Sequence, residues 1–153
     1  MIIQTDYGPV EYNEEDLITF PDGLFGFPKL TRYLLLRINE EEDDDSMLLM
    51  VSEKDSNVVF VLINPFVLCS DYSPDLAPEE LACLDATENG ELSYYVICVL
   101  RNDYLENTVN LKCPLVINPK TRHGIQIILK NTSYDYCHKL GSFSSVMESD
   151  QLC

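Results

Sequence analysis

Two histidines, six cysteines and twenty-six carboxylates are the side chains of this sequence with the means to bind a metal, attack a carbon or move a proton. Their spacing supports none of these. His123 sits in Asn118-Pro119-Lys120-Thr121-Arg122-His123-Gly124, which reads as a hairpin connection, and His138 lies near the C-terminal tail. Neither has an H-x-x-x-H or H-E-x-x-H neighbour, the helical spacings that aim two imidazoles at one ion. Cys69, Cys83, Cys98, Cys113, Cys137 and Cys153 are at least 14 positions apart with no C-x-x-C pair, so neither zinc nor a disulfide framework is expected. Cys98, in an apolar run, reads as a small hydrophobe, and Cys153, ending a polar tail, as the thiol most open to oxidation. The acids fall in charged runs, where water keeps a carboxylate ionised and unsuited to proton transfer. With no glycine-rich phosphate loop either, the chain reads as a non-enzyme with no cofactor and no metal.

Binding is the better prospect, and it starts at Ile18-Thr19-Phe20-Pro21-Asp22-Gly23-Leu24-Phe25-Gly26-Phe27. Pro21 fixes its own φ and pushes Phe20 into an extended conformation, while Gly23 and Gly26 permit positive φ. Leu24, Phe25 and Phe27 are therefore held at set angles. Such a rigid aromatic turn either plugs one end of a small β-core or presents its rings to a partner.

Two further segments follow in order: Val61-Leu62-Ile63-Asn64-Pro65-Phe66, and Thr108-Val109-Asn110-Leu111-Lys112-Cys113-Pro114-Leu115-Val116-Ile117-Asn118-Pro119. Each holds an apolar strand stopped by Asn-Pro, because proline cannot donate to a ladder and asparagine readily caps a turn. Strand termination is one reading of these pairs; a binding role, suggested by the ring of Phe66 directly after a forced turn, is the other. With Gly124-Ile125-Gln126-Ile127-Ile128-Leu129, the blocks resemble the bacterial flagellar assembly factor FliW family over residues 2–129. That resemblance implies a cytoplasmic, non-enzymatic protein that binds flagellin and, alternatively, CsrA, an RNA-binding translational repressor. It also implies partner-binding residues at the matching positions: Phe25 and Phe27, Asn64, Pro65 and Phe66, Asn110, Asn118 and Pro119.

Charge bears on those partners. Residues 1–91 hold 21 acids and 4 bases and residues 92–153 hold 5 and 6, so the net charge of −16 lies in the first part of the chain. Nucleic acid should be repelled by such a surface. The run Glu40, Glu41, Glu42, Asp43, Asp44 and Asp45 reads as a solvated loop or, beside a repressor's basic RNA path, as the segment that excludes RNA electrostatically; residues 71–91 are the second candidate. The alternative class is an OB-like nucleic-acid-binding module using Lys112, Lys120, Arg122, Lys130 and Lys139 with Tyr134 and Tyr136. The global charge and the scarcity of interleaved aromatics weigh against it.

The elements that must position these residues are mostly strands. At 153 residues with 46% hydrophobic and 24% charged content, the chain suits one globular domain that folds without staples. Residues 1–140 are expected to form that domain, with 141–153 a disordered tail. The longest apolar run, 94–100, is far short of the ~20 residues of a membrane helix, and the N-terminus carries no signal-like segment, so a cytoplasmic chain with no membrane contact is expected. Period-two alternation between turn residues predicts about ten strands, at 2–5, 10–12, 17–20, 33–38, 48–51, 58–63, 93–100, 109–111, 115–117 and 125–129, with 93–100 covered on both faces. One helix is expected at 78–84, opened by Pro78 and the acids Glu79 and Glu80. The fold class is therefore all-β and mainly antiparallel, a small barrel-like domain with one or two short helices; a closed barrel has no edges to pair, so a monomer is expected.

Overall fold

Alternating apolar residues give each long strand two faces to bury, and the computed structural model shows where each face goes. It describes residues 1–5, 8–37, 47–70, 72, 74, 76–100, 103–130 and 134–142. The acidic run Glu40, Glu41, Glu42, Asp43, Asp44 and Asp45, together with Asp71, Cys153 and the tail from 143 onward, lies outside the described residues.

The fold is mainly β. A hairpin of β1 (Ile2–Thr5) and β2 (Gly8–Glu11) stands apart from one large sheet. In that sheet β3 (Leu17–Thr19), β4 (Arg32–Arg37), β5 (Met47–Ser52), β6 (Val59–Ile63) and β7 (Ser93–Val99) form an antiparallel meander. The far edge of β7 takes two strands in succession: β8 (Thr108–Val109) against Cys98 and Val99, then β9 (Leu115–Asn118) against 93–95. A hairpin joins β9 to β10 (His123–Gln126), and β10 meets β3 in parallel, His123 opposite Thr19. That contact closes a barrel of β3, β4, β5, β6, β7, β9 and β10 in a mixed sheet. A final strand, β11 (His138–Lys139), adds to β8.

Closure sorts the side chains by parity. Ile18, Tyr33, Met50, Leu62, Leu115 and Ile117 point into the barrel. Leu17, Leu34 and Val51, one position out of phase, face outward and are covered by Ile3 and Tyr12 of the N-terminal hairpin. On the opposite wall Ile63, Val96, Cys98 and Val116 face outward and are covered by Leu68, Leu84, Ile127 and Leu140. A single period-two pattern thus feeds three apolar layers, each buried side chain contributing roughly 1.5–3 kcal/mol. Strand β7 buries its Tyr94, Val96 and Cys98 face, whereas the Ser93, Tyr95 and Ile97 face is half-buried; Val99 is exposed where the ladder runs off the end of the barrel.

Among the described residues two α-helices form: α1 (Pro65–Leu68) and α2 (Pro78–Cys83). The second follows the expected helix closely. The first does not: Asn64 ends β6 as expected, but its side chain then accepts a hydrogen bond from the Phe66 N–H at 3.0 Å and starts a helical turn with Pro65 at its first position. Another departure is at 125–129, where the strand stops at Gln126. Pro114 has no N–H to continue the ladder, so Ile127 and Leu129 donate instead to the carbonyls of Pro114 and Lys112.

Four tyrosines, Tyr12, Tyr33, Tyr72 and Tyr94, are buried in these layers. The Tyr72 hydroxyl donates to the Leu111 carbonyl at 2.6 Å, whereas the Tyr33 hydroxyl, wholly buried in the barrel, has no partner among the described residues. Tyr33→Phe is therefore expected to raise stability by about 1 kcal/mol and Tyr72→Phe to lower it by about 1 kcal/mol, read from urea midpoints. A loss on Tyr33→Phe would mean that the hydroxyl has a buried partner such as water. Burial pushes the phenols of Tyr33 and Tyr94 up to about 12 and that of Tyr72 higher still. The native state holds these protons more tightly than the unfolded chain, so their contribution is complete below the unfolded value of 10.0 and is lost as pH rises toward 12. Circular dichroism and tyrosinate absorbance should then change together in that interval.

Candidate functional site

Strand direction assigns the expected binding residues to different ends of the barrel. Because Leu17 pairs with Leu34 and Thr19 with Arg32, the chain leaves β3 at one end through the aromatic turn. The starts of β4 and β6 and the end of β7 lie at that same end.

The turn is anchored from within. Phe20 is fully buried, its ring edge-on to Tyr33 at 5.7 Å, and Leu24 is buried beside it. Gly23 has φ +68, and a Cβ there would collide with the Phe27 carbonyl and approach Pro28 Cα at 2.7 Å, so no other residue fits. Leu24 and Phe27 then close a tight turn, the Phe27 N–H donating to the Leu24 carbonyl at 2.8 Å with Gly26 at φ +88, where a type II turn requires positive φ. Phe25 is left at the tip. Its ring is 54% exposed, while its own N–H donates to the Gln126 Oε1 at 2.8 Å. Gln126 Nε2 reaches on to the Cys113 carbonyl at 3.4 Å, so one carboxamide braces the tip against β10 and the loop before β9.

Phe27, 37% exposed, leans from the rim onto Phe60 with ring centroids 5.5 Å apart, and Phe60 contacts Tyr33. Extending the β6–β7 register by one residue sets exposed Val99 opposite Phe60. The turn therefore does both things its composition allowed. Phe20 and Leu24 plug the barrel; Phe25 and Phe27 remain outside as the top of an apolar rim.

Asn64, Pro65, Phe66, Asn118 and Pro119 lie toward the other end, where β6 and β9 finish on either side of the first half of β7. Their roles differ. Asn64 caps α1 and Pro65 is buried. Phe66 is 39% exposed, its ring edge-on to Tyr72 and Tyr94 at 5.8 and 6.0 Å. Asn118 is buried, its Nδ2 donating to the Leu84 carbonyl at 2.6 Å and its Oδ1 accepting from the Lys120 N–H at 3.0 Å. Pro119 is exposed beside it. Asn110 belongs to neither end: its Oδ1 accepts from the Cys113 N–H at 3.0 Å and closes the loop that separates β8 from β9.

Of the remaining reactive groups, Cys83 and Cys137 are exposed thiols and His123 is exposed, while others are buried or engaged. Burial pushes the Cys98 and Cys113 thiols up. His138 Nε2 accepts from the Asp135 N–H at 2.7 Å, and Lys139 pairs with Glu106 at 2.9 Å, which raises the lysine pKa. Arg32 bridges Glu14 and Glu53, and Tyr12 donates to Glu53 at 2.8 Å. Among the described residues no group of three or more histidines, cysteines and carboxylates is placed to hold a metal ion, and no helix is long and apolar enough to cross a membrane. From the sequence Gln126 has no role of its own and Arg122 is one member of a basic patch; neither is expected to hold a loop in place. The partner of Gln126 is 101 residues away, and Arg122 adopts a left-handed φ of 61° that an arginine does not advertise.

The FliW protein family matches residues 1–140 of the chain. The flagellar assembly factor FliW of Syntrophomonas wolfei subsp. wolfei is 34% identical over 139 residues, covering 91% of this chain and 87% of that protein. The protein of the same name from Natranaerobius thermophilus is 36% identical over 140 residues, covering 91% of each. In three dimensions the chain is similar to the crystal structure of a flagellar assembly factor FliW, with a TM-score of 0.83 at 33% identity, over 92% of this chain and 96% of that one.

Proposed function

The chain belongs to the FliW family of flagellar assembly factors, and on that premise we propose that it is a protein-binding regulator with two alternative partners, flagellin and CsrA. In this reading it acts in the cytoplasm as a monomer and without catalysis, with residues 1–140 as one working domain. While unpolymerised flagellin is abundant the chain is occupied by it. Secretion of flagellin frees the chain to bind CsrA, which lifts repression of flagellin translation.

The observation that carries the reading is the exposed ring of Phe25, held at the tip of a turn whose base is plugged into the barrel and whose backbone is tied to Gln126. A large aromatic on a rigid mount gives contact area without the entropy cost of ordering a loop. Phe27 extends that surface, and Phe66 and Pro119 offer a second one. Asn64 and Asn118 support the second by closing the turns beside it, and Asn110 closes the loop whose Cys113 carbonyl Gln126 reaches.

Calorimetric titration with purified flagellin and purified CsrA tests this. Phe25→Ala is expected to weaken at least one partner by about 10- to 100-fold, the range of an interface hot spot, with the melting temperature unchanged. Flagellin should displace CsrA from the complex. Affinities for both partners that survive Phe25→Ala and Phe27→Ala together would remove the turn from the interface. Glu40, Glu41, Glu42, Asp43, Asp44 and Asp45 remain our first candidate for RNA exclusion. Gln and Asn replacements there should leave CsrA affinity nearly intact while restoring RNA binding to the complex.

A further inference from the structure

The end of the barrel opposite the aromatic turn holds a cavity of about 320 Å³. Its floor is apolar and buried, made by Ile18, Leu48 and Ile117. Half-buried Leu35 and Tyr95 form walls, and exposed Arg37 and Pro119 form the lip.

Arg122 also lines this cavity. The turn between β9 and β10 holds it at φ 61°, an unfavourable conformation for a residue with a Cβ. In that position Arg122 Nη2 donates to the Asp16 carbonyl at 2.7 Å, while its Nε is buried with no acceptor among the described residues. The neighbouring Asp16 carboxylate accepts from the Asn13 N–H at 2.8 Å. A guanidinium is thus anchored through a neutral carbonyl, with one donor unsatisfied, beside a hollow whose floor is apolar and whose lip is polar. Buried donors are rarely left in that state.

We propose that this cavity binds an organic carboxylate carried on an apolar stem, the stem lying against Ile18, Leu48 and Ile117 and the carboxylate meeting Arg122, with Arg37 at the lip. Guanidinium is the side chain whose planar fork of donors matches a carboxylate. At about 320 Å³ the cavity lies at the small end of ordinary binding sites and suits a small acid. Neither half of the ligand suffices alone. A bare anion gains two cations, Arg122 and the exposed Arg37, on a chain of net charge −16, and a bare hydrocarbon leaves the Arg122 donor unmet. The carboxylate could be that of a free acid or of a polypeptide C-terminus ending in an apolar residue, a recognised mode of peptide capture.

Titration of the isotope-labelled full chain with sodium octanoate, followed by amide shifts, tests this. Saturable shifts are expected at Ser93, Tyr95, Ile117 and Arg122, with octan-1-ol and acetate each weaker by about tenfold or more. Arg122→Gln should weaken octanoate by about tenfold, and Ser93→Phe, which fills the cavity and leaves both arginines in place, should abolish binding. A peptide ending in leucine, compared with its C-terminal amide, separates the two sources. Tight binding of the free-acid peptide alone points to a chain terminus, and its exclusion while octanoate binds points to a free acid. Equal binding of octanol and octanoate, octanoate binding that survives Ser93→Phe, or shifts confined to other residues would overturn the proposal even if Arg122→Gln fails to fold.

Discussion

Phe20→Ala is expected to lower the unfolding free energy by about 3–5 kcal/mol, and Phe25→Ala, in the same turn, by less than about 0.5 kcal/mol. Phe20 is fully buried between Tyr33 and the backbone of β10, and its removal opens a cavity that the barrel wall cannot collapse to fill. For a chain of this size the loss is on the order of 10 °C in melting temperature. Gly124 provides an independent check on the same contact. A Cβ at Gly124 would stand 2.7 Å from Phe20 Cε1 and 3.2 Å from Ile117 Cγ1, so Gly124→Ala should cost about 1–3 kcal/mol by overpacking. Because both changes act on one ring, they should not add: Gly124→Ala in a Phe20→Leu background should cost less than in the parent chain. Additive losses, or a Phe20→Ala protein that melts like the parent, would mean that the turn is not the plug of the barrel.

The same turn shows how far the sequence alone carries. Pro21, Gly23 and Gly26 specify its backbone through sterics that act within a few residues, so its rigidity was legible, as was the all-β class written in period-two alternation. What was not legible depends on contacts between distant segments. Closure of the barrel rests on a single parallel pairing of β10 with β3, His123 opposite Thr19, and parallel pairing leaves no local turn signature. The tip that presents Phe25 is braced by Gln126, whose carboxamide reaches the Phe25 N–H from β10; to the sequence it is one more residue in a strand pattern. The short strand β11 escaped notice because two residues carry too little alternation to register.

Asparagine before proline is the sharpest case, since the same dipeptide does two jobs. Asn64 caps a short, partly exposed helix through one hydrogen bond, so Asn64→Ala should cost about 1 kcal/mol. Asn118 joins β9 to the end of α2 inside the protein, and its loss leaves the Leu84 carbonyl, on a residue with no exposure, without its partner. Asn118→Ala should therefore cost about 2–4 kcal/mol. Asn118→Asp separates hydrogen bonding from size. The acid keeps the acceptor for the Lys120 N–H but loses the donor to Leu84 and sets a buried negative charge against a carbonyl oxygen. Both effects favour the protonated form and raise the carboxyl pKa in the folded state. The folded variant then holds a proton that the unfolded chain has released, so its deficit should narrow as pH falls toward the unfolded aspartate value of about 3.9. A deficit independent of pH between about 4 and 7, or equal costs for Asn64→Ala and Asn118→Ala, would mean that Asn118 only terminates its strand and that the tie to α2 contributes nothing.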